Sequence, residues 1–191
     1  MNKWFLRIGW WLLTLLYISL IYLILPYAPT LWSLYNGFLL GNGVLSVYIV
    51  CFIAIILIFF HINRNKKPVV TYLLFFLLVL IAFILNELAI VPAEKVHLLE
   101  YGLLSIIFYN ALKIDISRYN NWLYVVGSIL CSVTGFYDER IQLALPNRYF
   151  SWRDVILNIF SSILAFLIIR FVILTKKQNP LQSGLSSARI I

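Results

Sequence analysis

VVTYLLFFLLVLIAFILNELAIVPAEKVHLLEY, residues 69–101, carries the reading of the fold. Its first part, 69–89, is apolar nearly throughout, and about 20 such residues cross the hydrocarbon core of a bilayer. After Pro92 the character changes, and Glu94, Lys95, His97 and Glu100 follow in quick succession. A charge at the bilayer centre costs roughly 2.5–3.5 kcal/mol on insertion scales, so ionisable groups at the head of a second apolar run are by default a site hypothesis. One spanning helix followed by another with a polar entrance is the pattern from which the rest is read.

Outward from this stretch the same composition persists. Hydrophobic residues make up 63% of the 191, charged residues 12%, and the mean hydropathy is +0.95, whereas a soluble domain is about half apolar and a quarter charged. Six apolar runs, at roughly 4–25, 38–60, 69–89, 93–112, 122–143 and 155–175, are long enough to span. The expected fold is therefore all-α, a polytopic bundle of about six transmembrane helices. Pro26, Pro29, Pro68, Pro92 and Pro146 fall at the ends of these runs, where proline punctuates helices. Trp4, Trp10, Trp32, Trp122 and Trp152 lie at or near ends as an interfacial belt. The first run is too long for a cleaved signal peptide and lacks a small-x-small site before Pro26. The polar stretch 178–191 reads as a disordered tail.

Lys and Arg orient the bundle. With the N-terminus inside, Lys3, Arg7, Arg64, Lys66, Lys67, Lys113, Arg118, Arg170, Lys176, Lys177 and Arg189 fall inside, which is 11 of the 15. Lys95, Arg140, Arg148 and Arg153 fall outside, so both termini are expected in the cytoplasm. The net charge of +8 is then a topology signal and a contact with anionic lipid, not a nucleic-acid footprint, because no basic domain stands outside the membrane. Cys51 and Cys131, both within apolar runs, read as small buried hydrophobes.

Five of the seven acidic residues, Glu94, Glu100, Asp138, Glu139 and Asp154, gather in three patches that this topology puts at the outer side. His97, Glu100 and Tyr101 are spaced i, i+3, i+4 and share a helix face. Asp138, Glu139 and Gln142 come near the outer end of the fifth run. Asp154, at the position of a helix N-cap, and Asn158, one turn deeper, open the sixth, and Glu87 can reach the same layer. Such groups are expected to turn inward toward one another or toward a water-filled pocket. Arg148, flanked by Arg140 and Arg153, offers a bidentate fork to an anionic headgroup. Tyr101 and Tyr137 read first as interfacial aromatics. One histidine with several carboxylates is a conceivable ligand set for zinc or a harder cation. However, His61, the only other histidine, falls on the opposite side, and no metal or cofactor is assigned. No Gly-rich phosphate loop, CxxC or HExxH is present.

At these residues the chain resembles the VanZ-like family, named after a glycopeptide-resistance accessory protein. The first family block is matched by Glu94-Lys95-Val96-His97-Leu98-Leu99-Glu100-Tyr101. The second is matched by Asp138-Glu139-Arg140-Ile141-Gln142, Pro146-Asn147-Arg148 and Asp154-Val155-Ile156-Leu157-Asn158. Many members continue with a Thr-x-Gly step, where this chain has Ile159-Phe160-Ser161. The resemblance divides the chain into two N-terminal helices at 1–68 that match nothing specific, a VanZ-like four-helix core at 69–175, and the tail 176–191. It implies a bacterial inner-membrane protein associated with lowered teicoplanin susceptibility, working where lipid-linked cell-wall precursors reside.

Two functions from different classes follow. One is a binding protein for a lipid-linked precursor or lipoglycopeptide, with Lys95 and Arg148 on anions and Glu100, Glu139 and Gln142 on hydroxyls or amides. Tyr101, Asp138, Asp154 and Asn158 complete that site. The other is an intramembrane enzyme acting on a lipid or lipid-linked headgroup, with His97 and Glu139 as acid and base and Glu100 as a further candidate. A transporter fits less well, because the polar layer lies in one leaflet and not at the midplane.

Overall fold

The computed structural model describes residues 3–87, 89, 91–146 and 148–175. The chain is all-α among them, with six long helices and one short one. They are α1 (Lys3–Ile24), α2 (Ala28–Phe38), α3 (Gly43–Arg64), α4 (Val69–Asn86), α5 (His97–Asp115), α6 (Asn121–Gln142) and α7 (Trp152–Leu167). Four helical stretches are long and apolar enough to cross a membrane: Lys3–Phe38, Gly43–Arg64, Val69–Asn86 and Trp152–Ile173. They suggest a multi-pass membrane protein. The disorder expected of 178–191 lies outside the described residues, as do Lys176, Lys177, Arg189 and Asn147.

α5 and α6, expected as spans, are not among those four. Glu100, Lys113 and Asp115 in α5, and Asp138, Glu139 and Arg140 in α6, dilute their apolar character. The same two helices carry long strings of buried residues, whereas α3 buries only Gly43, Val47 and Ile62. The least apolar helices thus stand inside the bundle, where neighbouring helices and not lipid satisfy their polar groups.

The inner helices alternate in direction. Arg7 meets Asp115 at 3.0 Å and the Tyr17 hydroxyl donates to the Glu100 carbonyl at 3.3 Å, so α1 runs antiparallel to α5. α6 returns beside α5, with Ser105 Oγ 3.5 Å from the buried Cys131 Sγ. α7 then runs antiparallel to α6, bringing Arg170 to Asn121 at 3.4 Å. α5 and α7 therefore begin at the same end of the molecule, where α6 finishes. Small residues permit the close packing. A Cβ on Gly135 would stand 2.6 Å from Asn158 Cβ and 3.1 Å from Tyr101 Cε1, and Phe166 covers Gly127.

Helix boundaries depart from the apolar runs in three places. The first run does not end at Pro26. Pro26 and Pro29 each occupy a first-turn position, where the missing N–H costs nothing, so a 3₁₀ turn (Leu25–Tyr27) leads directly into α2. α2 stops in a turn where Leu40 and Gly41 take positive φ, and Asn36 Oδ1 accepts from the Gly43 N–H at 3.0 Å to start α3. Pro92 opens a 3₁₀ turn (Pro92–Val96), so α5 begins at His97 itself. α7 continues as a π-helix over Ile168–Ile173, and Lys67 Nζ donates to the Ile173 and Thr175 carbonyls at its end.

Candidate functional site

Where α5 and α7 begin and α6 ends, a partly open cavity of about 610 Å³ enters the bundle. Pockets for small molecules commonly measure about 300–1,000 Å³. One wall is polar: Glu94, His97, Glu100, Gln142, Arg148 and Asp154. The opposite wall is apolar and comes from the end of α1, the turn after it, α2 and the head of α3, through Ile24, Leu25, Leu31, Trp32, Val47 and Val50. The site is thus built between α5, α6 and α7 on one side and the N-terminal helices α1, α2 and α3 on the other.

The backbone explains the polar wall. Glu94 lies in the 3₁₀ turn, its Oε2 accepting from the Val91 N–H at 3.1 Å. Burial pushes its carboxyl above the ordinary range, and the Asp154 carboxylate adds to that shift. His97 and Glu100 sit one turn apart on α5, with His97 Nδ1 3.2 Å from Glu100 Oε2. Asp154 is not the N-cap of α7. Ser151 holds that position, its Oγ accepting from the Asp154 N–H at 3.3 Å, and Asp154 stands in the first turn with its side chain buried. Among the described residues no group bonds to Asp154 Oδ1.

Behind this wall lies a second polar layer that is closed on itself. The Tyr101 hydroxyl, fully buried and so not an interfacial aromatic, donates to Asp138 Oδ2 at 3.0 Å. Gln142 Nε2 donates to Glu139 Oε1 at 2.9 Å and reaches Asp138 Oδ1 at 3.5 Å. Glu139 Oε2 accepts from the Ser151 N–H at 3.1 Å, tying α6 to the start of α7. Arg148 Nη2 donates to Gln142 Oε1, which joins the two layers. Asn158 Nδ2 donates to the Gly135 carbonyl at 3.4 Å, while its Oδ1 is buried without a partner among the described residues. Asp138, Glu139 and Asn158 are wholly excluded from solvent.

The expected site residues therefore separate into groups. His97, Glu100, Gln142, Arg148 and Asp154 face the cavity. Tyr101, Asp138, Glu139 and Asn158 stand behind it and hold its wall. Lys95 does not join them. It turns toward Glu87 at 3.1 Å and Tyr48 at 3.1 Å, and the Tyr48 and Lys95 hydrogen bonds hold the Glu87 carboxyl below its usual range. Glu87 accordingly belongs to this side cluster, and Arg140 and Arg153 are exposed on the surface. His61 lies at the other end of the bundle, 3.5 Å from the Ile173 carbonyl.

Glu94 and the apolar wall of α2 had no assigned role in the sequence reading. Glu94 was legible as part of the charged run, but nothing in the spacing shows that a 3₁₀ turn aims it at the cavity. α2 was concealed by its prolines.

Known protein-family models, curated proteins and solved structures provide no match to this chain.

Proposed function

We propose that the chain is a VanZ-like, multi-pass protein of the bacterial inner membrane, with both termini cytoplasmic. Its cavity, at the outer end, binds a cell-envelope amphiphile: a lipid-linked cell-wall precursor or a lipoglycopeptide. By holding that ligand the protein lowers teicoplanin susceptibility. The observation that carries this reading is the two-faced cavity, a polar wall and an apolar wall within one volume of about 610 Å³. An amphiphile is the ligand class that satisfies both walls at once. Asp154 Oδ1, buried and without a partner among the described residues, supports a polar headgroup donor at that point, since a buried carboxylate oxygen left unbonded is costly. Arg148 provides the complementary donor for an anionic group.

The alternative, an intramembrane enzyme using His97 and Glu139 as acid and base, is less well supported. Both Glu139 oxygens are taken by Gln142 and Ser151, and Glu139 lies behind the cavity wall. Acid–base chemistry in this cavity falls more naturally to His97 with Glu100, which face it as a pair at 3.2 Å.

The test is the binding of fluorescent teicoplanin to bacteria expressing wild type or Asp154→Asn at matched membrane levels, with susceptibility measured in parallel. Susceptibility is expected to fall with wild type and to be restored in the variant; cell-bound teicoplanin falls if the ligand is the precursor and rises if it is the lipoglycopeptide itself. If wild type changes neither, the teicoplanin part of the proposal is withdrawn.

A further inference from the structure

We propose that His97, Glu100 and Asp138 bind one divalent first-row metal ion, of which zinc is the best match, at the polar wall of the cavity. The three residues come from two helices, and one ligand atom from each lies within 4.8 Å of the others. Zinc bonds to imidazole nitrogen and carboxylate oxygen are about 2.0–2.2 Å long, so tetrahedral donors lie roughly 3.4 Å apart. The His97 Nδ1 to Glu100 Oε2 separation of 3.2 Å already matches that edge. Imidazole nitrogen and carboxylate oxygen are both zinc donors, and three protein donors are the number that leaves a fourth position of a tetrahedral ion for water or ligand. Here that position opens on the cavity, because His97 and Glu100 line it.

Two further observations point to a cation. Asp154, on the same wall, is 4% exposed and has an oxygen with no bonding partner among the described residues. Charge is also unbalanced: Glu94, Glu100, Asp138, Glu139 and Asp154 meet only Arg148 and His97 among the described residues at the cavity and behind it. Buried carboxylates in excess call for a compensating cation or protons. Asp138 also has the supporting hydrogen bond common to metal-ligating carboxylates, from the Tyr101 hydroxyl at 3.0 Å. The sequence places no second histidine near His97. The structure brings the third donor from α6 instead.

The inference does not depend on the amphiphile reading, since the test contains no lipid ligand. Metal-stripped protein in dodecyl maltoside, with any affinity tag removed, is titrated with Zn²⁺ by calorimetry, and bound metal is counted by mass spectrometry. Wild type is expected to bind about one equivalent, with His97→Ala and Glu100→Gln losing it. Tyr101→Phe, which keeps the ring and removes the supporting hydroxyl, should weaken affinity by roughly tenfold. His61→Ala should leave it unchanged. Gel-filtration profiles and thermal melts of the metal-free variants establish that they are folded. A wild type that binds no zinc, or folded His97→Ala and Glu100→Gln proteins that bind it as tightly as wild type, would overturn the proposal.

Discussion

Asp154 and Glu139 are both buried carboxylates, yet their surroundings treat them in opposite ways. Glu139 accepts from Gln142 and from the Ser151 amide, so each oxygen has a donor. Glu139→Gln puts an NH₂ group against one of those donors, and stability should fall by about 1–3 kcal/mol in a thermal or denaturant unfolding series. Asp154 lines the cavity and has a buried oxygen without a partner among the described residues. Asp154→Asn should cost no more than about 1 kcal/mol of stability, mostly from lost interaction with the α7 dipole. Ligand binding should fall roughly tenfold to a hundredfold, the worth of a hydrogen bond to a charged group. Similar stability losses in both variants would contradict this division. The sequence shows that His97, Glu100 and Tyr101 share a face, and it groups Asp138 with Gln142. Spacing along a helix does not give the rotation of that helix against its neighbours, however. It therefore cannot separate His97, at the cavity, from Tyr101, one turn on and fully buried.

The helices that build the site depend on close approach and on a proline-initiated turn. Gly135 lets α6 touch Asn158 and Tyr101 at once. Gly135→Ala forces a methyl into that contact and should destabilise the protein by about 1–3 kcal/mol, as overpacked cores do, read from the unfolding midpoint. On the other side, α2 and the head of α3 form the apolar wall. Val50 lines the cavity but is half exposed, so Val50→Trp should change stability by less than about 0.5 kcal/mol while obstructing an acyl chain. Amphiphile binding should drop although every polar residue is intact. Unchanged binding would remove the apolar wall from the site. The long apolar runs made six helices legible because the 3.6-residue repeat matters little when a segment is apolar on all sides. α2 was hidden because Pro26 and Pro29 look like a stop signal, and only the backbone reveals that each sits where a new helical turn can begin.

At the scale of the molecule, the cavity end carries Arg148 and Glu94, and the opposite end carries Arg64, Lys66, Lys67 and Arg118. With Lys95, Arg140 and Arg153 also toward the cavity end and Lys3, Arg7, Lys113 and Arg170 toward the other, the proposed topology has the cavity outside. Single cysteines at Tyr149, beside the cavity, and Ser117, in the loop between α5 and α6, test this in a background with Cys51 and Cys131 changed to serine. The first should react with an impermeant maleimide in intact cells and the second only after permeabilisation. The reverse pattern would invert the topology and remove the outer-leaflet ligands. Four helical stretches meet the length and composition for crossing a membrane, whereas α5 and α6 are read as inner helices only because the fold surrounds them.

Joint reception of a polar and an apolar moiety in one cavity is the core of the proposed function. It is tested most directly by native mass spectrometry of the purified protein after incubation with bacterial envelope lipid extract. Wild type, Asp154→Asn and Val50→Trp are compared. A bound amphiphile is expected on wild type, with at least about tenfold lower occupancy on both variants, one impaired at each wall. Equal occupancy on all three would contradict it.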